Sequence, residues 1–361
     1  MENLAVSADF WRGKRVFLTG HTGFKGGWLS LMLSRMGAEV TGFALPPPTD
    51  PSLFALARPD REMRSIIADL RDADAIDRAV REAQPEIVLH LAAQALVRQS
   101  HADPVQTYAV NVMGLIALLE AARRAASIRA IVIVTSDKCY ENRDWTWGYR
   151  ENDPLGGHDP YSSSKACAEL IAAAWRASFF NAPASQTFIA TARAGNVIGG
   201  GDWAKDRLVP DILRAIDGGE PIHLRNPEAT RPWQHVLEPL NGYLLLAEKL
   251  YREGGDHAAA WNFGPADEDA KPVKWLAERL IQHWKPQEIR LEIDARLRPH
   301  EAHHLKLDAS NARARLGWRP RWNLETALAH TAAWYRAWRQ GEDMRDFTLR
   351  QIAAFAEDAT Q

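Results

Sequence analysis

Cysteine is almost absent from this sequence, which has only Cys139 and Cys167 among its 361 residues. Two cysteines cannot form a disulfide framework, and these two lack the spacing of metal ligands, so we expect no bound metal. An excess of charge of one sign is also lacking, because 44 Lys and Arg balance 46 Asp and Glu and leave a formal net charge of -2. Nucleic-acid-binding proteins usually carry a basic excess, so we expect no nucleic-acid partner.

Long apolar segments are lacking as well. No run of about 18 uninterrupted apolar residues is present, which argues against a membrane span. The first residues, "MENLAVSADFWRGKRV", have an acid at position 2 and no apolar core of a secretion signal. Together with the few cysteines, these features predict a protein of the reducing cytoplasm. Hydrophobic residues make up 46% of the chain, which is ample for one large domain or two closely packed domains.

Strand-like and helix-like segments alternate through the first half of the chain. Buried strands are predicted at 15–20, 39–45, 65–70, 86–93 and 130–136, with helices between them. Strands that alternate with helices of about 10 to 15 residues predict an α/β fold with a doubly wound parallel sheet of the Rossmann type. Ligands of such sheets bind beyond the carboxyl ends of the strands, so we expect the functional site there.

Glycines follow the first predicted strand at regular spacing, since "TGHTGFKGG" places Gly20, Gly23 and Gly26 in a G-x-x-G-x-x-G pattern. Glycines there allow a tight turn, so that a dinucleotide pyrophosphate can bind at the N-terminus of the following helix. The alternative is a plain tight turn. For His21 and Lys25, within the loop, we expect the backbone to be the useful part. The usual acid for the ribose hydroxyls is missing after the second strand and no Arg replaces it, so the choice between NAD and NADP stays open.

A tyrosine and a lysine lie four residues apart in "DPYSSSKACAE", where Tyr161 and Lys165 share one face of a predicted helix. A phenol with a pKa of about 10 is a poor base at neutral pH, but a nearby ammonium and a nicotinamide cation would lower that pKa. Tyr161 could then take a hydroxyl proton as hydride leaves the same carbon, and Ser136 would bind the substrate oxygen. The alternative is an ordinary pair on a helix surface.

Several segments together resemble the extended short-chain dehydrogenase/reductase family: "TGHTGFKG", "ADL" at 68–70, "HLAAQ" at 90–94, "TSDKCY" and "YSSSK". Longer segments resemble its nucleotide-sugar 4,6-dehydratases, and among these the ones that act on CDP-glucose: "TSDKCYEN", "ARAGNVIGGGDWAKDRLVPD", "TRPWQHV" and "RPHEAHHLKLD". The resemblance implies bound NAD as the cofactor and CDP-glucose or a similar nucleotide sugar as the substrate. It also implies a place in lipopolysaccharide O-antigen biosynthesis.

Such dehydratases oxidise C4 of the sugar, eliminate water across C5 and C6, and return the same hydride to C6. Relatives that act on dTDP-glucose and GDP-mannose have Thr-Asp-Glu at the end of the fifth strand, where this chain has Ser136, Asp137 and Lys138. The resemblance makes Asp137 the acid for the leaving hydroxyl and Lys138, in place of Glu, the base at C5. A lysine can be that base only if its pKa falls well below about 10.4. The alternative is an Asp–Lys ion pair at a strand end.

The resemblance also assigns binding residues, with Asp69 and Leu70 beside the adenine. Those expected around the cofactor are Gly20, Thr22, Gly23, Phe24, Lys25, Gly26, Asp69, Leu70, Leu91, Ala92, Ala93, Gln94, Asn111, Tyr161 and Lys165. Those expected on the substrate side are Asn196, Arg207, Arg231 and Arg298. Guanidinium groups suit a diphosphate because their donors form a fork, although each arginine could instead be a solvated surface residue. His235 and His300 are expected to be structural or peripheral.

The resemblance further predicts domains and assembly. Residues 10–195 would form an NAD-binding Rossmann domain with a return segment near 232–264, and a smaller C-terminal α/β domain for the nucleotide sugar would comprise 196–231 and 265–361. Relatives commonly pair through two long helices, here 111–125 and 162–175, so we expect a homodimer or a higher homo-oligomer. Packing of these helices onto the sheet explains their apolar residues equally well.

Other functions remain open at this point. Another nucleotide-sugar 4,6-dehydratase would use the same residues. A nucleotide-sugar 4-epimerase of the same fold would have no use for an acid and a base aimed at C5 and C6, which Asp137 and Lys138 provide. A non-catalytic NAD-sensing protein would be expected to lack Tyr161 or Lys165, and both are present.

Overall fold

The computed structural model of the chain describes residues 6–180, 186–284, 290–293 and 303–358. Arg298 and His300 lie outside these ranges, so the roles expected for them stay predictions. The strands are β1 (Arg15–Thr19), β2 (Glu39–Ala44), β3 (Arg64–Ile67), β4 (Ile87–His90), β5 (Ala130–Val134), β6 (Phe188–Ala194), β7 (Val197–Ile198), β8 (Ile222–Leu224), β9 (Thr230–Pro232), β10 (Gln234–His235), β11 (Ala260–Phe263), β12 (Ala270–Pro272) and β13 (Leu291–Ile293).

The α-helices alternate with these strands in the first half of the chain and dominate its end. They are α1 (Ala8–Trp11), α2 (Phe24–Arg35), α3 (Leu53–Ala57), α4 (Ala73–Ala83), α5 (Val97–Ala102), α6 (Pro104–Tyr108), α7 (Gly114–Arg123), α8 (Pro160–Ser178), α9 (Leu208–Gly218), α10 (Leu237–Glu253), α11 (Val273–Trp284), α12 (Leu324–Arg339) and α13 (Met344–Glu357). A π-helical turn, Ala109–Met113, joins α6 to α7.

The central sheet has seven strands in the order β11-β6-β5-β4-β1-β2-β3. Every neighbouring pair in it is parallel. The strand order reverses between β1 and β4, which is the switch point of a doubly wound sheet. The expected Rossmann-type α/β fold is therefore confirmed.

Strand β5 lies near the middle of this sheet, and all five of its residues are buried. Successive side chains of a strand point to opposite faces, so Ile131 and Ile133 join the core beneath α4, α7 and α8. Val132 and Val134 face the other core, which α2 and α10 cover. A strand covered on both faces must be apolar at every position, which explains the continuous apolar run in the sequence.

Helix α8 begins at a clear signal in the sequence. The Asp159 side chain accepts the backbone N–H of Ser162, and Pro160 occupies the first helical position. This start places Tyr161 and Lys165 in the first two turns, beside the end of β5. Helix α2 begins at the glycine loop and ends before Gly37, whose φ of +78° is in the left-handed region.

The continuous helical segment Pro104–Arg123 is, by length and composition alone, apolar enough to cross a membrane. Its second half is a core helix of the folded domain, because Leu115, Leu118 and Leu119 are fully buried in the core beside the sheet. Among the described residues no other helix has this length and composition.

The chain leaves the sheet after β6 and later returns to it. Helix α10 packs on β5 and β6, and β11 then pairs with β6 as the outermost strand. Between and after these elements the chain forms small two-stranded sheets, β8 with β13 and β9 with β12, beside α9 and α11. The domain boundaries given above remain predictions.

Candidate active site

The glycine loop leaves no room for side chains at two positions. A Cβ atom on Gly26 would lie 2.0 Å from the carbonyl oxygen of Gly20, and one on Gly20 would lie 2.8 Å from the backbone nitrogen of Ala92. Gly20 also has a φ of +80°, which favours glycine. Gly23 caps α2 without a side-chain hydrogen bond, which leaves the first N–H groups of the helix to a ligand. The loop therefore fits a dinucleotide pyrophosphate.

A cavity of about 850 Å³ opens from this loop across the carboxyl ends of the strands. The structure brings most of the predicted site residues together there. On the cofactor side its lining includes Gly20, Thr22, Gly23, Phe24, Lys25, Gly26, Asp69, Leu70, Leu91, Ala92, Ala93, Tyr161 and Lys165. On the substrate side it includes Ser136, Asp137, Lys138, Asn196, Arg207 and Arg231.

Gln94 and Asn111 support the loop after β4 and do not line the cavity. Asn111 Oδ1 accepts the backbone N–H of Gln94 at 2.8 Å, and Asn111 Nδ2 donates to the Gln94 carbonyl at 3.0 Å. The same Nδ2 donates to Ser164 Oγ at 2.9 Å, which ties this loop to α8. Both residues thus support the site from behind, and their direct contact with a cofactor stays a prediction.

The side chains of His21 and Lys25, in the glycine loop, differ in their surroundings. Burial lowers the pKa of His21 to about 4, so this residue is a neutral packing group. Lys25 lines the cavity, and burial lowers its pKa to about 8, with Arg207 and Lys165 acting in the same direction. The nearby Asp137 carboxyl opposes this shift. Lys25 therefore contributes its side chain to the site, not only its backbone.

Tyr161 and Lys165 lie together at the end of β5, as their spacing predicts. Lys165 Nζ donates to the carbonyl oxygen of Val134, the last residue of β5, at 3.2 Å, and burial lowers the pKa of this lysine to about 8. Burial raises the pKa of Tyr161 to about 12, although a hydrogen bond with Ser136 offsets part of that rise. Tyr161 is therefore a neutral phenol until further positive charge comes close to it.

The Ser136-Asp137-Lys138 triplet leaves β5 in a short 3-10 turn, Asp137–Cys139. Ser136 Oγ donates to Asp137 Oδ1 at 2.9 Å and accepts the backbone N–H of Lys138 at 3.2 Å. Asp137 Oδ2 is buried, and no donor from the described part of the chain reaches it. Lys138 is partly exposed and lines the same cavity. The triplet thus presents a carboxyl and an amine to one space.

The buried Asp137 carboxyl is suited to hold a proton. Burial raises its pKa, while the charges of Lys138 and Arg231 and the hydrogen bond from Ser136 oppose that rise. A carboxyl with a raised pKa holds its proton to higher pH than a free one and can donate it to a leaving group.

Two of the predicted arginines reach the cavity from different elements. Arg207 lies at the start of α9, and its Nη1 is 2.8 Å from Asp202 Oδ2. Arg231 lies on β9, is 8% exposed, and donates from Nη1 to the carbonyl of Thr230 at 2.9 Å. Together with Asn196 at the end of β6, they form a cationic and polar wall that suits a diphosphate.

Some residues of the site escaped the sequence analysis. Asp202 orients Arg207, and an ion pair of 2.9 Å joins Arg98 to Asp206 in the cavity wall. The Ser100 hydroxyl accepts the backbone N–H of Tyr161 at 3.1 Å. The contacts of Arg98 and Ser100 join residues far apart in the chain, and the Asp202–Arg207 pair lies in an irregular loop, so no local pattern marks them. The described ranges contain no group of three or more His, Cys, Asp or Glu side chains that could hold a metal.

A comparison with family models matches residues 17–331 to the model described as GDP-mannose 4,6 dehydratase. The chain belongs to this family. Among curated proteins similar to this chain, the CDP-glucose 4,6-dehydratase of Salmonella typhimurium (strain LT2) is 52% identical over 99% of this chain and 100% of its own length. A dTDP-glucose 4,6-dehydratase of Xanthomonas campestris pv. campestris is 26% identical over 93% and 98%.

Solved structures of other proteins share the fold of this family member. The UDP-glucose 4-epimerase of Thermotoga maritima, solved with UDP-glucose, superposes with a TM-score of 0.79 at 20% identity and covers 90% of this chain and 99% of its own. DesIV, a dTDP-glucose 4,6-dehydratase of Streptomyces venezuelae solved with NAD and TYD, gives a TM-score of 0.77 at 23% identity, over 91% and 99%.

Substitution of Gly26 tests the glycine loop. Gly26→Ala is expected to weaken NAD binding by about tenfold or more, because its Cβ would displace the Gly20 carbonyl and overpacking of this kind costs ~1–3 kcal/mol. Gly255→Ala is the control, since its Cβ would meet nothing closer than 3.8 Å. Titration calorimetry gives both affinities. Unchanged NAD binding by Gly26→Ala would mean that this loop does not hold the dinucleotide.

Proposed function

We propose that this chain dehydrates CDP-glucose to CDP-4-dehydro-6-deoxy-glucose with a retained NAD. One observation carries the proposal: Tyr161 and Lys165 line the same cavity as Asp137 and Lys138. The first pair supplies the proton transfer that oxidation of C4 by NAD requires. The second supplies the acid and the base that loss of water across C5 and C6 requires.

The glycine loop and the N-terminus of α2 would hold the pyrophosphate of the dinucleotide. When bound, NAD supplies the chemistry of accepting a hydride from the sugar and giving it back. Tyr161 takes the proton from the C4 hydroxyl, and Lys165 stabilises the phenolate by its charge. Ser136 bonds the oxygen of the hydroxyl that is being oxidised. Arg207 and Arg231 hold the substrate diphosphate, which fixes the sugar beside these groups.

Asp137 and Lys138 divide the elimination between them. Lys138 removes the C5 proton, which the ketone at C4 has made acidic, and Asp137 protonates the hydroxyl that leaves C6. The buried carboxyl suits the acid because burial raises its pKa. Lys138 later returns a proton to C5.

The identity of the nucleobase is supported by the whole-length relative at 52% identity, a far closer match than the 26% relative that acts on a dTDP sugar. A cytoplasmic location and a place in O-antigen biosynthesis are further parts of the proposal, and they are supported by the sequence resemblance alone.

The proposed function is tested by incubating the purified protein, without added cofactor, with CDP-, dTDP-, GDP- and UDP-hexoses and following the loss of one water by mass spectrometry. We expect CDP-glucose to lose water, because the reaction regenerates the bound NAD in each turnover. Inversion of the configuration at C4 without loss of water would support an epimerase instead. No change in any sugar, even with added NAD, would leave Asp137 and Lys138 as an ion pair.

Substitution of the base and of the acid should separate the two halves of the elimination. Lys138→Met is expected to lose exchange of the C5 proton with solvent and to slow water loss by about 100-fold or more, while reduction of the bound cofactor persists. Asp137→Asn, the matched variant, should retain C5 exchange and slow only water loss. Both are measured by deuterium incorporation and cofactor absorbance. Full C5 exchange in Lys138→Met would remove this lysine as the base.

We also propose that two copies of the chain associate through α8 and the segment Pro104–Arg123. Exposed apolar side chains lie on both elements, with Val105 77%, Met113 58% and Leu170 59% exposed. The Tyr108 hydroxyl and Ser163 Oγ, 2.5 Å apart, join these two elements into one surface. A second copy of the same surface would cover the apolar side chains of the first, as in an isologous dimer.

Charges on this surface should separate the copies. The double substitution Met113→Glu with Leu170→Glu is expected to give a monomer in light scattering, because burial of two carboxylates in an apolar interface is costly. Ile293→Glu, at another exposed apolar residue on β13, serves as the control and should leave the mass unchanged. A dimer that survives the double substitution would place the interface elsewhere.

A further inference from the structure

A buried carboxylate lies behind the catalytic helix and has no part in the reaction as proposed. Glu169 is 4% exposed and follows Lys165 by one turn of α8. Its Oε1 accepts the Thr135 hydroxyl at 2.5 Å. Its Oε2 accepts the Thr191 hydroxyl at 2.7 Å and Arg193 Nη2 at 2.8 Å. Both carboxylate oxygens are thus used.

Arg193, the cationic partner of Glu169, is also buried and contacts further residues. Arg193, on β6, is 2% exposed, and its Nη1 donates to the Tyr140 hydroxyl at 2.7 Å and to the carbonyl of Glu151 at 3.0 Å. The Tyr140 hydroxyl in turn donates to Asn262 Oδ1 on β11 at 2.7 Å. The ion pair therefore links three strands and α8.

These contacts hold the catalytic triplet from both sides. Thr135 directly precedes Ser136, and Tyr140 follows Lys138 by two residues, so the Glu169–Arg193 pair fixes both ends of the turn 135–140. The backbone N–H of Thr135 also donates to the Ala192 carbonyl at 2.9 Å, which aligns the end of β5 with β6.

The same pair acts on Lys165 by charge. Burial lowers the pKa of Lys165, and Glu169 is the strongest opposing influence. Other titratable groups near Lys165 are Tyr161, one turn before it on α8, and Cys139, His90 and Lys25. Burial keeps the Cys139 thiol and the His90 imidazole neutral, because it raises the pKa of the first and lowers that of the second to about 3.

A contribution to stability does not by itself explain why a buried ion pair is present here. Taking two charges out of water is costly, and buried ion pairs can often be replaced by apolar residues without loss of stability. A buried pair one turn behind the catalytic lysine is better explained by what it does to that lysine and to the neighbouring turn.

We propose that Glu169 is a positioning residue: it supplies the negative charge opposite Lys165 and, through Thr135, holds the turn that carries Ser136, Asp137 and Lys138. Arg193 balances this charge, so the pair together decides how strongly the ammonium of Lys165 is held. The inference rests on the proposed dehydration, in which the charged form of Lys165 assists Tyr161.

The inference is testable because removal of the Glu169 charge leaves a positive charge unbalanced near Lys165, whereas removal of the Arg193 charge leaves a negative one. In wild-type enzyme the rate should fall as pH rises through about 8, where Lys165 loses its proton. Glu169→Gln leaves the Arg193 cation unbalanced and should move this alkaline limb to lower pH by about one unit. Arg193→Met leaves the carboxylate unbalanced and should move the limb to higher pH. The double variant should return close to wild type.

The measurement is the pH profile of kcat for loss of water from CDP-glucose by the holoenzyme. A limb in Glu169→Gln at or above the wild-type pH would overturn the charge role, since a merely structural defect lowers the rate without moving the limb downward. If wild type releases no water at all, the proposed function has failed. In that case the pH dependence of NAD binding decides the inference on its own. In Glu169→Gln the affinity for NAD should begin to change at lower pH than in wild type.

Two threonines test the link to the turn and remain useful if the charge variants fold poorly. Thr135→Val removes the hydrogen bond to Oε1 beside the triplet and should lower kcat by about tenfold without moving the alkaline limb or raising KM in proportion. Thr191→Val removes the matching bond to Oε2, away from the triplet, and should lower kcat less. Equal losses of kcat in Thr135→Val and Thr191→Val would contradict the proposal that Glu169 positions the turn through Thr135.

Discussion

The parallel pairing of β4, β5 and β6 is the constraint on which the whole site depends. Its register sets Val134 of β5 opposite Ala192 of β6, so these strands end close to one another at the same edge of the sheet. Ser136, Asp137 and Lys138 follow the end of β5, and Tyr161 and Lys165 begin α8 beside it, whereas Arg231 reaches the site from β9. A slip of one residue in β5 would turn the triplet to the other face and separate it from Tyr161.

The site holds more positive than negative charge, and that imbalance defines its chemistry. Seven cationic side chains line the cavity against five aspartates, and burial raises the pKa of one of these, Asp137. The cations are Lys25, Arg98, Lys138, Lys165, Arg207, Arg225 and Arg231, and the aspartates are Asp69, Asp137, Asp202, Asp206 and Asp211. Such a space attracts a diphosphate, and its cations oppose the rise that burial causes in the pKa of Tyr161. Burial lowers the pKa of Lys25 and of Lys165, and neighbouring cations lower that of Lys25 further. The arrangement stores charge repulsion that bound anions relieve.

Local patterns in the sequence were sufficient for the parts of the site that short segments form. The glycine loop, the Tyr161–Lys165 pair and the triplet after β5 each depend on a strand or helix end, and strand and helix ends carry recognisable residues. The inward reach of Lys25 could not be predicted in this way, because it depends on packing between α2 and distant elements. The supporting positions of Gln94 and Asn111 have the same cause, since their contact joins two separate elements. The Arg207–Asp202 ion pair spans only five residues, but it lies in an irregular loop whose path local patterns do not predict.

The return of the chain to the sheet has a consequence for synthesis on the ribosome. Strand β11 is translated about 65 residues after β6, estimated from their positions, so β6 is an uncovered edge of the nascent sheet for that whole interval. An apolar edge strand that waits for its partner is a site where another nascent chain can pair by mistake. Arg193 and Thr191 lie on that strand, and their shared partner Glu169 precedes them in the chain. A charged side chain on an edge strand discourages edge-to-edge pairing, and Arg193 supplies one on β6.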